Sequence, residues 1–433
     1  MHTPPSLHGM INSSSFDRRT FVKLLGMAGA TLAFPRIASA VTPATRVVII
    51  GAGFGGATAA KYLALWGKGR VQVTLVDANP SHISCILSNL VVTGALGMSD
   101  ITIGLQNLTT KYGINFLLGR AMAVDASSRT VEVSTSKGSK SLAYDHLVLA
   151  PGIDFITPAG HYDPAITPHA WVAGPQTLQL KKSLMAMKKG KVFVMNIPKA
   201  PYRCPPGPYE RACVVADYMR RKKLRGKVIV LDANPGITAE PENFGHAFSE
   251  TFKGIVEYRP NCQVLAVNSA EKTLVTSLGN VTGNVINYLP DMRAGALVTA
   301  AGLVDPSARW AAVDPLTYGS VRFPEIHVIG DSQATAQPKS GTMANAQAKV
   351  CADAILRGID GQPPNPAPVT MSACYSPITS KTASWLTASY QYDPTTRAMK
   401  RVEASFGEAR GPSAENYLDM FQWANSLFDD TFN

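Results

Sequence analysis

The stretch that decides the fold is residues 46–63, which read RVVIIGAGFGGATAAKYL. It begins as a continuous apolar run, typical of a buried parallel strand, then passes through a glycine-rich turn into a helix pattern. Gly51 permits the tight turn, Gly53 lets the backbone approach a pyrophosphate, and Gly56 allows close helix–strand packing. A second apolar strand ends in Asp77, at the spacing expected for an acid that binds a ribose. Together these features predict a dinucleotide-binding βαβ unit.

The composition is that of a globular protein of two or three domains. The chain has 433 residues, of which 45% are hydrophobic and 16% charged, and its net charge is +11. The densest basic run, 220–223, is interpreted as a solvated helix end, so we expect no nucleic-acid partner. The chain contains no C-x-x-C or H-x-x-x-H spacing, so no metal site is predicted. Beyond the N-terminal segment, no window is apolar over the length of a membrane span.

The N-terminal segment predicts a cleaved export signal. Arg18 and Arg19 precede a short apolar run, 24–34, and Ala38 and Ala40 frame a small-x-small site. The arginine pair favours the twin-arginine route, which implies cleavage near Ala40 and a periplasmic location. A buried amphipathic helix is the alternative. In an oxidising compartment paired cysteines persist as disulfides.

Two later strand ends decide which dinucleotide the first unit binds. Residues 144–152 form an apolar strand that ends in a small-residue turn, and residues 323–331 form another that ends in Gly-Asp, before a helix. This order resembles the flavoprotein disulfide reductase superfamily, in which the first turn crosses the nucleotide and the aspartate binds the ribityl chain. The resemblance implies FAD, with the helix N-terminus facing the flavin pyrimidine edge. The residues it implies are Gly152, Gly330, Asp331, Lys339, Gly341 and Thr342.

A second strand–helix unit lacks the glycine fingerprint that would hold a nicotinamide cofactor. After the strand 191–197, the loop 198–208 contains five prolines and one glycine. Because proline has no amide donor and a fixed φ, this loop cannot form a phosphate cradle. We therefore expect no NAD(P)H in this unit, and the loop presents Cys204 instead.

Three segments resemble the flavoprotein subunit of flavocytochrome c sulfide dehydrogenase, a relative of sulfide:quinone oxidoreductase. They read SCILSN at 84–89, PYRCPPGPYER at 201–211 and ACYS at 373–376, and the resemblance covers essentially the whole mature chain in order. It implies a redox-active disulfide between Cys204 and Cys374 beside the flavin. Hydrosulfide would attack one of these sulfurs, leaving a persulfide on that cysteine and a thiolate on the other.

The resemblance gives two further residues a role and leaves alternatives open. In the family, the cysteine at the place of Cys85 is joined through sulfur to the flavin 8α position, although an isolated cysteine is often a small buried hydrophobe. Glu210 corresponds to an acid that handles protons at the disulfide, or it is a helix first-turn acid favoured by the dipole. Cys351 competes with Cys374 as the partner of Cys204, and a purely structural disulfide is the alternative to a redox-active one.

The electron acceptor follows from the resemblance and from one absent motif. Because the chain has no C-x-x-C-H, it cannot hold a c-type haem itself, and the family places haem in a separate c-type cytochrome subunit that forms a heterodimer. The alternative is a quinone reached from a membrane surface. The C-terminal stretch 416–430 is aromatic but ends in Asp429 and Asp430, which disfavour docking on anionic lipid. A non-catalytic flavin scaffold is a further alternative, against which the intact Cys204 and Cys374 argue.

The expected architecture is α/β, with two Rossmann-like domains and a C-terminal α+β interface region. The FAD-binding domain is discontinuous and comprises 41–157 and 291–366. The second Rossmann-like domain comprises 158–290. The C-terminal region, 367–433, supplies Cys374 and the cytochrome interface.

Overall fold

Two parallel sheets with helices packed against them form the framework of the protein. The computed structural model describes residues 44–433. The predicted export signal and its cleavage site near Ala40 lie outside the described residues. The predicted α/β class is confirmed, because each sheet is built from strand–helix–strand units.

The first sheet has five parallel strands and contains the glycine-rich turn. Its central strand, Thr45–Ile50, pairs with Val71–Asp77 on one side and with His146–Leu149 on the other. The strands are apolar and mostly buried because helices such as Phe54–Gly67 cover the sheet. One edge strand, Ile326–Val328, comes from much later in the chain. The strand order is Ile326–Val328, His146–Leu149, Thr45–Ile50, Val71–Asp77 and Asn115–Leu118.

The second sheet has four parallel strands and is built from the middle of the chain. The helix Gly207–Arg221 connects the strands Val192–Ile197 and Lys227–Asp232 in a second βαβ unit. The basic run begins at the end of this helix, where Arg220 and Arg221 form ion pairs with Asp217. The strand order is Val256–Arg259, Lys227–Asp232, Val192–Ile197 and Val285–Asn287.

The carboxyl end of the strand Lys227–Asp232 is filled by the chain's own side chains. Tyr209 and Tyr258 each donate a hydrogen bond to Asp232 Oδ2, at 2.8 and 2.7 Å, and the Asn234 amide donates to Oδ1 at 2.9 Å. In a nucleotide-binding unit an acid at this strand end accepts hydrogen bonds from a ribose. Because Asp232 is fully buried and already satisfied, the second unit has no free acid at this place for a ribose.

Smaller sheets and helices surround the two units. Three antiparallel strands, Arg120–Asp125, Thr130–Thr135 and Gly138–Ala143, extend from the first unit, and four strands, Ala159–His161, Val264–Asn268, Thr273–Thr276 and Gly279–Thr282, border the second. Two-stranded pairs join Ile153–Phe155 to Met292–Ala294 and Ser81–Ile83 to Thr102–Gly104. The shorter helices are Ser88–Val92, Gln106–Tyr112, Pro175–Met185, Pro241–His246 and Ala296–Ala300.

The C-terminal region is an antiparallel sheet followed by a long helix, Ala414–Phe432. The sheet strands are Val369–Pro377, Ala383–Asp393, Ala398–Arg401 and Gly407–Glu408. The end of the helix packs on the first unit, with the rings of Phe428 and Phe432 at 6.1 and 5.7 Å from the ring of Phe54. No helix in the described part of the chain is both long and apolar enough to cross a bilayer.

The acidic end of this helix is tied to the first unit. Asp430 accepts hydrogen bonds from Tyr62 Oη at 2.6 Å and from Lys349 Nζ at 2.7 Å, and Lys61 Nζ donates to the main-chain carbonyls of Asp429 and Asp430. The side chain of Asp429 is exposed, whereas that of Asp430 is 33% exposed and its charge is paired with Lys349.

Candidate active site

A cavity of about 510 Å³ lies at the carboxyl ends of the first sheet, between the loop at Cys204 and the C-terminal sheet. Ligands of parallel α/β sheets bind at this end of the strands. Every predicted site residue lines the cavity except Gly56 and Lys339, which adjoin lining residues. The lining ones are Gly51, Gly53, Asp77, Cys85, Gly152, Cys204, Glu210, Gly330, Asp331, Gly341, Thr342 and Cys374. Within residues 44–433, no group of three or more His, Cys, Asp or Glu side chains is arranged to hold a metal ion.

The glycine turn has the geometry that the sequence predicts. Gly51 has φ +98°, and a Cβ there would lie 2.4 Å from the carbonyl oxygen of Ala150. A Cβ on Gly56 would lie 1.8 Å from the carbonyl oxygen of Gly51, so only glycine allows the helix to approach the strand. The helix Phe54–Gly67 begins after Gly53 without a side-chain cap, which leaves its first amides available to a phosphate.

Arg203 adds a positive charge to the cavity that the sequence analysis did not single out. Its Nε and Nη2 atoms are buried and have no hydrogen-bond partner among the described residues. Buried donors of a charged group are costly to leave unpaired, so they suit an anionic ligand. With the open glycine cradle and Asp77, these donors fit an anionic dinucleotide such as FAD.

Asp331 and the start of the helix Gly341–Ile359 form another part of the cavity wall. Burial raises the pKa of Asp331. Thr342 Oγ1 donates to the carbonyl of Ala373 at 2.9 Å, which joins the helix start to the strand that carries Cys374. Lys339 stabilises this part of the wall although it does not line the cavity. Its Nζ donates hydrogen bonds to the main-chain carbonyls of Asp331 and Gln333 at 2.8 and 2.7 Å.

The fold brings three of the predicted sulfurs to one cavity. Cys204 lies in the loop before the helix Gly207–Arg221, Cys374 lies on the strand Val369–Pro377, and Cys85 follows the strand Ser81–Ile83. All six cysteines are thiols in this structure, so the disulfide between Cys204 and Cys374 and the flavin link at Cys85 stay predictions. Cys351 is buried in the core of the first unit and does not line the cavity, which favours Cys374 as the partner of Cys204.

The cavity environment opposes charge on these sulfurs. Burial raises the pKa of Cys374 to about 12 and that of Cys204 well above its ordinary value. At Cys204 the neighbouring Cys374 is the largest charged influence, followed by Glu210. At Cys374 the largest charged influence is Glu240, followed by Glu210. A thiolate formed in this cavity is therefore a strong base.

Glu210 is held beside Cys204 by a buried polar chain. Burial raises the pKa of Glu210 to about 8, and Asn89 Nδ2 donates to its Oε1 at 2.8 Å. Asn89 Oδ1 in turn accepts a hydrogen bond from Arg211 Nε at 2.8 Å. Arg211 is fully buried and also donates to the carbonyls of His169 and Ala170. This network fixes a carboxyl that can both take up and release a proton near neutral pH.

The sequence analysis missed four polar residues of the site, namely Asn89, Arg203, Arg211 and Glu240. Asn89, Arg203 and Arg211 all stand in segments that carry the family resemblance, so those segments were an available signal. Glu240 has no local signature.

Three family models match the chain in order. Residues 45–167 match "Pyridine nucleotide-disulphide oxidoreductase", and residues 177–290 match "Sulfide dehydrogenase [flavocytochrome c] flavoprotein chain, central". Residues 366–432 match "Flavocytochrome c sulphide dehydrogenase, flavin-binding". The last of these includes Cys374, and the second includes Cys204 and Glu210.

Relatives of known name are similar over most of the chain. The mitochondrial sulfide:quinone oxidoreductase of Dictyostelium discoideum is 22% identical over 87% of this chain and 82% of its own length. The sulfide-quinone reductase of Aquifex aeolicus (strain VF5) is 24% identical over 76% of this chain and 80% of its own. The crystal structure of the Aquifex aeolicus sulfide:quinone oxidoreductase superposes with a TM-score of 0.74 and 19% identity, covering 90% of this chain and 92% of that one. This likeness supports the same overall fold.

Proposed function

Because this chain belongs to the flavoprotein disulfide reductase superfamily, with the central and flavin-binding domains of flavocytochrome c sulfide dehydrogenase, we propose that it passes electrons from sulfide to a separate c-type cytochrome. It is a sulfide-oxidising flavoprotein of the type shared by that enzyme and sulfide:quinone oxidoreductase. The observation that carries the proposal is the cavity in which Cys204 and Cys374 lie together with Glu210.

The chain's own residues would perform the sulfur chemistry. Glu210 accepts a proton from H₂S, and the resulting hydrosulfide forms a bond to one sulfur of the Cys204–Cys374 disulfide. The disulfide bond breaks, and its electron pair remains on the other cysteine as a thiolate. The glycine turn and Asp331 would hold FAD, which when bound would supply an acceptor for this electron pair that can release single electrons.

Sulfide titration tests the reaction. We expect anaerobic sulfide to bleach the visible flavin absorbance of the purified holoprotein. Cys204→Ser and Cys374→Ser should lose the bleaching, whereas the matched variant Cys351→Ala should keep it, because Cys351 is buried away from the cavity. Bleaching that survives in both serine variants, or is lost in Cys351→Ala, would overturn the assignment of the pair.

The identity of the electron acceptor is the more specific part of the proposal. A c-type cytochrome is favoured because two of the three family models that match are named for flavocytochrome c sulfide dehydrogenase. A quinone is the second candidate, since the relatives that match over most of the chain carry that name. The sulfide-reduced holoprotein should reduce a soluble c-type cytochrome faster than a short-chain quinone, and a haem protein should co-purify with it from its native source. A faster reaction with quinone and no haem band would favour the second candidate.

Export and flavin attachment belong to the same proposal. Arg18 and Arg19 support twin-arginine export to the periplasm, where a flavin tethered through Cys85 could not be lost. Mass spectrometry of the protein from a periplasmic fraction should find a mature N-terminus near residue 41. An intact N-terminal segment, or protein found only in the cytoplasm, would contradict export.

A further inference from the structure

The imidazole of His82 lies beside the glycine turn. His82 is the middle residue of the short strand Ser81–Ile83 and lines the same cavity as Gly53. A Cβ on Gly53 would lie 3.8 Å from the Cε1 atom of His82, the carbon between the two ring nitrogens. The missing side chain of Gly53 is what lets the backbone approach a pyrophosphate. The edge of the His82 ring therefore borders the space in which that group is expected.

The Nε2 atom of His82 lacks a partner. It is buried and makes no hydrogen bond to any residue of the described chain. The strand of His82 pairs with Thr102–Gly104, where the residue opposite is Ile103, so the neighbouring position offers no polar side chain. A buried polar atom without a partner destabilises a protein. This nitrogen therefore suits a ligand that supplies the missing hydrogen bond.

Two aromatic rings hold the imidazole in place. The ring of Phe432 stacks on it, with the ring centroids 5.1 Å apart and the planes at 24°, and the ring of Phe54 meets it edge to face at 5.1 Å. Phe54 is the first residue of the helix that follows Gly53, and Phe432 is fully buried near the end of the C-terminal helix. The imidazole is therefore fixed at the end of the helix that receives the phosphates.

The charges around His82 favour an anion. Burial and the guanidinium of Arg203 lower the pKa of His82 to about 4, so the imidazole is neutral near neutral pH. No carboxylate among residues 44–433 forms an ion pair with His82. The Nε and Nη2 atoms of Arg203 are themselves buried without partners. A neutral imidazole carries one N–H, and an anion beside Nε2 would fix the proton on that atom.

We propose that His82 binds the pyrophosphate of FAD, to which its Nε2–H donates a hydrogen bond. Arg203 adds positive charge, and the first amides of the helix Phe54–Gly67 add backbone donors. The inference rests on the FAD of the proposed function and is independent of the sulfur chemistry. It gives the nucleotide site a side-chain ligand that lies outside the glycine turn.

Phosphorus NMR of the holoprotein tests the contact directly. The phosphorus signals of bound FAD can be observed whether or not the flavin is covalently attached. We expect His82→Phe, which keeps an aromatic ring between Phe54 and Phe432, to shift at least one of these signals. The matched control His161→Phe, at an exposed position outside the cavity, should leave the signals unchanged. Unshifted signals in flavin-loaded His82→Phe would overturn the inference.

The same signals report the charge on the imidazole. A phosphate group favours the protonated ring, so bound FAD should raise the pKa of His82 above the value of about 4 that burial and Arg203 give it. In the wild-type holoprotein we expect a phosphorus signal to follow this titration, and in His82→Phe we expect the titration to be absent. A histidine that only packs between aromatic rings would leave the pH dependence of the signals identical in the two proteins.

The affinity for FAD gives a second measurement. Cys85→Ser removes the proposed covalent link, so dilution of this holoprotein releases FAD and the flavin fluorescence gives the dissociation constant. In this background His82→Phe should weaken FAD binding about tenfold to hundredfold, the range of one hydrogen bond to a charged group. His82→Gln, whose side-chain amide keeps an N–H donor, should recover part of the loss. An unchanged dissociation constant in both His82 variants would contradict the contact.

The outcomes separate this inference from the proposed function. If sulfide did not bleach the wild-type flavin while His82→Phe shifted the phosphorus signals, the proposed function would fail and the phosphate contact would stand. If sulfide bleached the wild type while the signals were the same in His82→Phe, the proposed function would stand and the contact would fail.

Discussion

The backbone amide of Cys204 donates a 2.7 Å hydrogen bond to the carbonyl of Lys339. This bond ties the loop of the second unit to the turn that precedes the helix Gly341–Ile359. The ammonium of Lys339 lies 3.8 Å over the ring of Trp310 and donates to two buried carbonyls. The position of the reactive sulfur therefore depends on a lysine that does not line the cavity.

Replacing Lys339 should destabilise the protein. Lys339→Met leaves the carbonyls of Asp331 and Gln333 buried without their donor, and we expect a loss of about 1–3 kcal/mol in the free energy of unfolding. Urea denaturation of the purified holoprotein measures it. Lys188→Met, at an exposed position, is the control and should change the midpoint little. Equal losses in the two variants would show that the buried contacts of Lys339 contribute nothing.

Gly56 should tolerate no side chain. In Gly56→Ala the new Cβ would lie 1.8 Å from the backbone oxygen of Gly51, so the helix must move away from the strand. We expect a loss of about 1–3 kcal/mol or more, together with weaker flavin binding. Gly358→Ala, in the helix Gly341–Ile359 with open space around its Cβ, should be neutral or stabilising. Denaturation midpoints and flavin content compare the two, and a tolerated Gly56→Ala would contradict the close approach.

The first unit could be predicted from the sequence because its signals are local. Gly51, Gly53 and Gly56 act within one turn, and Asp77 ends the next strand, so one short window contains every feature that the nucleotide needs. The loop 198–208 could be interpreted from the sequence for the same reason. Its prolines exclude a phosphate cradle whatever residues surround the loop.

The carboxyl partners of the sulfurs could not be predicted in this way. Asn89 and Glu210 are 121 positions apart, and Ser376 and Glu240 are 136 apart. Such contacts arise from packing between units and leave no periodicity or spacing in the chain. The pairing of Cys204 with Cys374 had the same difficulty and was proposed only because the segments around them resemble a known family.

Changing Cys85 should free the flavin without emptying the cavity. Cys85 lines the cavity, where the proposed sulfur link would hold the cofactor after unfolding. We expect wild-type protein to show a fluorescent flavin band on a denaturing gel and Cys85→Ser to show none. Cys213→Ser, which changes a buried cysteine outside the cavity, should keep the band. Flavin that leaves the denatured wild type completely would contradict the link.

Glu210 should make the stability of the protein depend on pH. Burial raises its pKa from 4.5 to about 8, so the folded protein retains a proton that the unfolded chain releases. The stability contributed by this group is therefore complete below pH 4.5 and is lost as pH rises through 8. The glutamine of Glu210→Gln cannot ionise. As pH rises from 5 to 8.5, the unfolding free energy of this variant should therefore increase relative to that of the wild type. Urea midpoints across this range measure the difference. Glu415→Gln replaces an exposed first-turn acid of the C-terminal helix and should follow the wild-type slope. If both variants ran parallel to the wild type, Glu210 would be an ordinary first-turn acid rather than a proton acceptor poised beside Cys204.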